Sequence, residues 1–319
     1  MRDARTAGPP VAGRRAVLLA AGLALLGGCA TRFDGTRLRI TTGSAGAVYN
    51  QLGAALSTAW ASTLGVKPEV LTSAGSGQNL DRLLAGQADV GITAADAAAL
   101  RSLGDGGRLR ALARMHDDYV QVVVPAGSKV QRLADLRGLR VSVGPADSGV
   151  RLLTDRLLQI AGLPRETDIQ QRRLAIDDAV DGLARGWIDA FFWSGGLPTE
   201  QVASLAHRIP IRLVDLSDVL PAMSRTYDVY EPATLPAATY NLPEPVTTLL
   251  LPNYLLVTDR MADPLAQALT EGVFDAQAAL AAANPAARSI DVRSGVETVP
   301  VPLHAGAMAY YRAAHYVND

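Results

Sequence analysis

The chain contains very little cysteine and lysine for its length. Among 319 residues Cys29 is the single cysteine, which excludes an intrachain disulfide, a cysteine-based metal cluster and a catalytic thiol. Lysine occurs only at Lys67 and Lys129, arginine supplies the rest of the 30 basic residues, and 31 acidic residues balance them. This balance argues against nucleic-acid binding, which is driven by clustered cations against phosphates.

Catalytic and metal-binding motifs are also missing from the sequence. The four histidines do not form His-Glu-x-x-His or another paired metal spacing, and neither a Walker loop nor a Gly-x-Ser-x-Gly elbow occurs. The dinucleotide pattern Gly-x-Gly-x-x-Gly does not follow either of the strands that open the repeated segments described below. We therefore expect no cofactor, no metal and no enzyme. An envelope enzyme with Asp96 or Asp147 as its base stays open as an alternative.

The N-terminus has the layout of a secretory signal. Arg14-Arg15 precedes an apolar run over residues 16–26, which is too short for the roughly 20 residues of a membrane-spanning helix. Leu26-Gly27-Gly28-Cys29 resembles a bacterial lipobox, in which the cysteine is acylated. We predict a signal peptide over residues 1–28, a lipidated Cys29 and a tether over residues 29–37. The protein is expected to be exported by the Sec or the twin-arginine route to the extracytoplasmic side of the envelope. The lipid on Cys29 would anchor it to a membrane.

The sequence repeats itself at an offset of about a hundred residues. Leu38-Arg-Ile-Thr-Thr-Gly43 is echoed by Leu139-Arg-Val-Ser-Val-Gly144, and each run leads into a helical apolar pattern, over residues 47–62 and 150–160. Further on, Gly86-Gln-Ala-Asp89 is matched by Gly186-Trp-Ile-Asp189, each placed between a helix end and a buried strand. Both segments share the order strand, glycine turn, helix, strand, helix, Gly-x-x-Asp, strand. This shared order predicts two α/β units with the same topology.

This pattern predicts a two-lobed α/β fold of the type II periplasmic-binding-protein kind, and 319 residues suffice for two cores. Each lobe is expected to be a mostly parallel sheet flanked by helices. We expect the chain to leave the first lobe near residues 119–124 and return near 247–257, so that two strands form a hinge. Lobe 1 is then residues 38–120 plus 250–319, and lobe 2 is residues 121–249. The Pro- and Tyr-rich segment 227–243 is expected to contain little helix.

Polar turns follow the predicted strands in both lobes. In open α/β sheets ligands collect at the carboxyl ends of strands, where helix N-termini present free N–H groups. Small polar residues at these turns suit a carboxylate or an amino acid, although they also serve as ordinary caps and turn formers. Trp193 is either an aromatic wall of the site or a core residue, and the segment His116-Asp117-Asp118 either contacts ligand or forms a solvated loop. The candidate ligand-binding residues are Thr42, Gly43, Ser44, Tyr49, Ser73, Gly75, Ser76, Asn79, Asp96, Ser148 and Trp193.

Several of these segments together resemble the TAXI family, the extracytoplasmic solute-binding subunits of TRAP transporters. The resemblance runs from about residue 38 to 257 and is carried by residues 41–53, Gly75-Ser-Gly-Gln-Asn79, residues 84–89, 144–149 and 191–198, and the stretch 235–240. It implies a two-lobed binding protein of the periplasmic type that closes on its ligand and delivers it to TRAP membrane subunits driven by an ion gradient. We also expect a monomer.

By position, the resemblance places the first-lobe ligand turns at Gly43, Ser44, Tyr49, Ser73, Gly75, Ser76 and Asn79, with Ser148 and the turn after Phe192 opposite. The sequence departs from the family at Val48-Tyr49-Asn50, where Tyr-Tyr-Pro is usual, and at Gly46-Ala47, where a glycine pair is usual. The family default is a glutamate-like ligand, and these departures leave the ligand of this chain open. A second hypothesis is a lipoprotein without a permease that presents ligand to a sensor or another partner protein.

Overall fold

Two segments with the same topology form most of the sheet. The computed structural model describes residues 32–146, 148–164 and 168–317. The predicted signal peptide, the lipobox Cys29 and Asp147 lie outside these residues. The first segment runs β1 (Arg37–Thr41), α1 (Val48–Leu64), β2 (Lys67–Leu71), α2 (Ser76–Leu84) and β3 (Val90–Ala94). The second runs β5 (Arg140–Ser142), α4 (Gly149–Ile160), β6 (Gln170–Arg172), α5 (Ile176–Ala184) and β7 (Ala190–Gly195).

Both segments order their strands in the same way, which confirms the predicted repeat. Each forms a parallel sheet section, β2-β1-β3 in the first and β6-β5-β7 in the second. Equivalent ion pairs close both: the guanidinium of Arg39 holds the carboxylate of Asp89 with Nη2 2.9 Å from Oδ1. Arg140 holds Asp189 in the same way at 2.6 Å. The aspartate of each Gly-x-x-Asp motif therefore ties the start of its strand to the middle strand of its section.

Two long antiparallel strands join the parallel sections. They are β4 (Leu109–Pro125) and β10 (Val246–Thr258), which pair with each other; β10 also pairs with β3, and β4 with β7. Both are longer than the usual five or six residues because each pairs with more than one neighbour along its length, β10 linking the first section and β4 the second. The predicted crossings, 119–124 and 247–257, fall inside them. The division of the chain into two lobes stays a prediction, since the described strands form one continuous sheet.

The remaining elements cover the faces and edges of this sheet. In segment 227–243 the structure has a short strand and a single 3-10 turn, which confirms the expected low helical content. No helix in the described ranges combines the length and the apolar character needed to cross a bilayer. The other elements are α3 (Ala95–Ser102), α6 (Glu200–Arg208), β8 (Ile211–Leu213), α7 (Leu220–Thr226), β9 (Glu231–Leu235), α8 (Asp263–Asp275), α9 (Gln277–Ala283), α10 (Val292–Gly295) and α11 (Ala305–Ala313), with 3-10 segments Leu133–Leu136, Ala237–Thr239 and Pro285–Ser289.

Three hydrophobic clusters hold these layers together. One surrounds Trp60 and packs α1, α8 and α11 on the first section. Another surrounds Phe191 and packs α5 and α6 on the second. The third contains Ala98 of α3 together with Val150 and Leu153 of α4, so it is shared by both segments. The fold is thus a mixed α/β structure with flanking helices, in which the carboxyl ends of the two parallel sections approach each other.

Candidate functional site

The starts of α2 and α4 meet at the carboxyl ends of the two parallel sections. A Cβ atom placed on Gly149 would lie 3.6 Å from Ser76 Oγ and 3.8 Å from Ala94 Cβ. One placed on Gly75 would lie 4.0 Å from the Cα of Ser148. An added methyl group would thus be in ordinary van der Waals contact with the facing segment, so the gap here is about one methyl group wide. The two segments therefore close on each other here, and we call this contact region the crevice.

The start of α2 presents free backbone N–H groups. Its N-cap residue Gly75 has φ 129°, a conformation that favours glycine, and it provides no capping side chain. The first three N–H groups of a helix have no acceptor within the helix, and those of Ser76, Gly77 and Gln78 bond to no described group. Ser148 caps α4 by accepting from the Arg151 N–H at 3.3 Å. Helix N-termini attract anions, so this geometry suits a carboxylate.

A buried polar cluster lies next to these helix ends, on α1, β4 and β10. The Tyr49 hydroxyl donates to Asn253 Oδ1 and lies 3.5 Å from Ser76 Oγ. Asn253 Nδ2 donates to the carbonyl of His116 at 3.2 Å, and the His116 ring meets the Tyr49 ring edge-on at 5.9 Å. Burial and the charge of Asp118 raise the pKa of Tyr49 well above its ordinary value. Tyr49 thus stays a neutral hydrogen-bonding group.

His116 and Asp118 are the least satisfied members of this cluster. The imidazole of His116 is completely buried, and neither ring nitrogen makes a hydrogen bond within the described residues. Its Nε2 lies 3.4 Å from Asp118 Oδ1, and Ser194 Oγ lies 3.4 Å from Asp118 Oδ2, so both contacts are long. A buried polar group without a partner is costly, and such a group in a crevice indicates a place for a ligand.

A second buried carboxylate ties the two segments together. Asp96, at the start of α3, accepts a hydrogen bond from the Tyr230 hydroxyl at 2.8 Å, and Arg156 of α4 lies 4.0 Å from the same oxygen. Burial raises the pKa of Asp96, while the hydrogen bond from Tyr230 and the charge of Arg156 oppose that rise. Burial and the charge of Asp96 raise the pKa of Tyr230 well above its ordinary value. We call these three residues the Asp96 latch.

The structure brings together four of the predicted site residues at the crevice or beside it: Tyr49, Gly75, Ser76 and Ser148. Asp96 lies close enough to influence the pKa of Tyr49. Ser76 Oγ also accepts the N–H of Ala94 at 2.9 Å, which fixes the end of β3 against α2. For these five residues a ligand contact stays a prediction that the geometry supports.

Three other predicted residues hold the turns in place. The amide of Asn79 is completely buried, and Nδ2 donates to the carbonyls of Thr42 and Ile92 while Oδ1 accepts from Thr41. The Thr42 hydroxyl donates to the Leu71 carbonyl at 2.9 Å. Ser73 Oγ bonds the Thr42 carbonyl and the Gly75 N–H. These side chains support the shape of the crevice through bonds within the protein.

The remaining predicted residues lie at the margins. Ser44 is exposed in the turn after β1, and Gly43 packs against the side chain of Tyr49. The indole of Trp193 donates to Thr199 Oγ1 at 3.2 Å and packs against two of the hydrophobic clusters. Of the two interpretations of Trp193, these contacts favour the core residue over the aromatic wall.

Sequence reasoning missed some of the crevice residues and misjudged one segment. The alternative in which His116-Asp117-Asp118 forms a solvated loop is wrong, because these residues lie in β4 and His116 is completely buried. Polar residues two apart within an apolar strand share one face, which was the available signal. Asn253, Tyr230 and Arg156 were not predicted. Asn253 interrupts an apolar run, whereas Tyr230 and Arg156 have no local signal.

Buried carboxylates lie in and beside the crevice. Asp96 and Asp118 lie near Tyr49, and Arg156 is the cation that faces Asp96. Arg156 is already engaged by Asp96 and Tyr230. A protonated amine beside Asp118 would therefore complement this part of the crevice.

Comparison with known families gives the relationship of this chain. A family model described as NMT1-like matches residues 40–314, which is most of the sequence. The chain belongs to the NMT1-like family. The match includes both repeated segments and the two long strands. Its finer placement in the TAXI family stays a prediction.

Solved structures show that this NMT1-like protein has the fold of periplasmic binding proteins. The periplasmic aliphatic sulphonate binding protein SsuA from Escherichia coli superposes with a TM-score of 0.50 at 19% identity, covering 88% of this chain and 84% of SsuA. XAC2383 from Xanthomonas citri, solved bound to ATP, gives 0.53 at 15%, covering 89% and 100%. A Listeria monocytogenes protein named for L-cystine ABC transport gives 0.51 at 13%, covering 79% and 95%. At such identities the similarity establishes the fold.

Proposed function

We propose that this NMT1-like protein is an extracytoplasmic receptor that encloses a small amino acid in the crevice and passes it to a membrane permease. The observation that carries the proposal is the meeting of α2 and α4 beside a buried polar cluster whose His116 has no hydrogen-bond partner in the described structure. Free N–H groups, a carboxylate and an unsatisfied imidazole in one place are suited to orient a small polar molecule.

The two ends of an amino acid match different parts of the crevice. Its carboxylate would accept from the free N–H groups of Ser76 and Gly77, where the helix dipole adds attraction. Its ammonium group would donate to the carboxylate of Asp118 beside the unsatisfied ring of His116. Tyr49 would contribute its hydroxyl from the side. A glutamate-like ligand, the default of the TAXI resemblance, carries both end groups.

Ligand entry requires the two segments to separate. In the closed arrangement a Cβ atom on Gly149 would already contact Ser76 Oγ at 3.6 Å, so the gap holds about one methyl group and is too narrow for an amino acid. The long strands β4 and β10 link the parallel sections and are the natural place for bending. Separation would also break the Asp96 latch, and a bound ligand would supply the replacement contacts that favour closure.

The permease partner and the membrane anchor complete the proposal. The TAXI resemblance favours TRAP membrane subunits, whereas the names of two structural relatives refer to aliphatic sulphonate binding and ABC transport. Lipidation of Cys29 would hold the receptor at the extracytoplasmic side of a membrane. Reconstitution with each class of permease separates the two, because delivery requires a matched docking face.

A thermal-shift titration tests the ligand assignment. Glutamate, glutamine and other amino acids are compared with the matching acids that lack the amino group, on the wild type and on Asp118→Asn. A ligand at a hundred times its Kd adds about 2.7 kcal/mol of stability, which raises the Tm by roughly 5 °C. We expect a selective shift for one amino acid in the wild type, and loss of that shift in Asp118→Asn.

The control is Asp178→Asn, which removes an exposed carboxylate from α5. It should bind like the wild type. Equal binding by Asp118→Asn and the wild type would refute the role of Asp118. No shift with any amino acid or carboxylate would refute the solute assignment and favour a lipoprotein that acts through a protein partner.

A further inference from the structure

A second concavity lies at the opposite ends of the first parallel section. It has a volume of about 320 Å³ and is bordered by the start of β1, the end of α2, the turn after β10 and the start of α8. The crevice is at the carboxyl ends of β1 and β3, whereas this concavity is at their amino ends. The two sites therefore occupy opposite edges of the same section of sheet.

Four arginines from separate parts of the chain line this concavity. They are Arg37, Arg39, Arg108 and Arg260, and the carboxylate among the lining residues is Asp89. We call this site the basic concavity. Arg39 is paired with Asp89, so the lining keeps an excess of three positive charges. Three acidic residues nearby do not line it: Glu69 lies opposite Arg39 on β2, Asp259 precedes Arg260, and Asp263 follows Ala262.

The bonds made by these arginines leave their charges available. Arg108 donates to the carbonyls of Asp105 at 3.1 Å and Leu84 at 3.2 Å, which hold the side chain without neutralising it. Arg37 and Arg260 are exposed, and neither forms an ion pair or a side-chain hydrogen bond with a described residue. Two fixed and two free guanidinium groups around one depression form a receptor for an anion.

The chemistry of the lining fits a phosphate attached to an apolar group. Guanidinium groups bind phosphate oxygens in pairs, and Leu83, Met261 and Leu265 supply an apolar part of the wall. The helix α8 begins at this wall with Ala262 as its N-cap, and Asp263 in its first turn offsets the positive end of its dipole, so the arginines supply the attraction for an anion. This combination corresponds to the headgroup region of an anionic lipid.

The position in the sequence identifies the membrane as the source of that phosphate. Arg37 follows Cys29 by eight residues, a length that spans at most about 29 Å when extended. If Cys29 carries the expected lipid, the start of β1 is held within that distance of the bilayer. We propose that the basic concavity binds the phosphate headgroup of an anionic lipid and seats the body on the membrane, with the crevice directed away from it.

Vesicle sedimentation of residues 32–319 tests this proposal without the lipid anchor. Phe33–Asp319 is a compact unit of its own that holds the helices, the strands and all three hydrophobic clusters described above. Vesicles contain phosphatidylcholine alone or with 30% phosphatidylglycerol. We expect binding to the mixed vesicles only, and weakening by salt as charges are screened. Each surface arginine contributes about fivefold in affinity, so Arg37→Ala/Arg260→Ala should bind roughly 25-fold more weakly.

The matched control is Arg225→Ala/Arg312→Ala, which removes two other exposed arginines without described partners. It should bind within about twofold of the wild type, although it loses the same charge. Equal weakening of both double variants, or wild-type binding by Arg37→Ala/Arg260→Ala, would overturn the proposal. Stabilisation by inorganic phosphate without binding to phosphatidylglycerol vesicles would overturn the lipid source and assign the site to a free phosphate compound.

Discussion

The Asp96 latch provides the sharpest test of how the two segments are held closed. Asp96 belongs to the first segment's side of the crevice, and Tyr230 lies 134 residues further along the chain. Tyr230→Phe removes the hydroxyl that donates to Asp96, and Asp96→Asn removes the negative charge of the group that accepts this hydrogen bond. Both changes nearly conserve volume, so they probe the hydrogen bond and leave the packing intact.

The structure sets the size of the expected effect. The bond is 2.8 Å long, Asp96 is completely buried, and the other described cation near the carboxylate, Arg156, is 4.0 Å away. A hydrogen bond to a charged group contributes about 1.5–3 kcal/mol. Tyr230→Phe should lose about this amount of unfolding free energy at pH 7, because the buried carboxylate loses its donor, and the same change should cost clearly less in the Asp96→Asn background. The coupling energy should therefore be about 1.5–3 kcal/mol.

Urea unfolding of the wild type, the two single variants and the double variant measures this coupling at 25 °C. Tyr227→Phe is the control, because its ring stacks with Arg156 at 4.3 Å while its hydroxyl makes no described hydrogen bond. It should change stability by less than about 0.5 kcal/mol. A coupling energy below about 0.5 kcal/mol would refute the reasoning, because that is the level of additivity between independent sites.

Three further predictions concern the pH response and the packing. Burial raises the pKa of Asp96, so its ionisation opposes folding. The wild type should lose stability relative to Asp96→Asn as the pH rises from about 4 through the raised pKa, with a slope of about 1.4 kcal/mol per pH unit between the two pKa values, and a difference independent of pH would contradict this. Gly306→Ala should lower the free energy of unfolding measured in urea by at least about 3 kcal/mol, because the new Cβ would lie 2.1 Å from the carbonyl oxygen of Asp263. Wild-type stability of this variant would contradict the close contact between α11 and α8. Asn79→Ala should lower the free energy of unfolding measured in urea by about 3 kcal/mol, because the two buried carbonyls of Thr42 and Ile92 lose their donor. A loss below about 1 kcal/mol would show that water replaces the amide.

Local patterns in the sequence were sufficient to predict the repeated architecture. The periodicity of α1 and α4 and the matching Gly-x-x-Asp motifs depend on residues close together in the chain, and the structure contains both at the predicted places. The ion pairs Arg39–Asp89 and Arg140–Asp189 show why the motif repeats: in each section the aspartate bonds both the backbone and the guanidinium of its arginine.

Only the tertiary structure decided which polar residues belong to the crevice. Asn79 and Ser76 are three residues apart in one turn and helix start, yet the amide of Asn79 is consumed by the carbonyls of Thr42 and Ile92, whereas Ser76 lies at the contact with Gly149. A polar residue at a turn satisfies either the backbone or a ligand, and sequence spacing does not distinguish the two.

Long-range contacts explain the rest of the difference. Tyr230 and Arg156 reach Asp96 from distant parts of the chain, and β4 buries His116 although two aspartates follow it. The sequence by itself thus determined the repeating units and the turns that bear polar groups, because these depend on local periodicity and turn chemistry. Packing of the two units determined which groups are buried, which are paired and which are left for a ligand, because those properties depend on neighbours far away in the sequence.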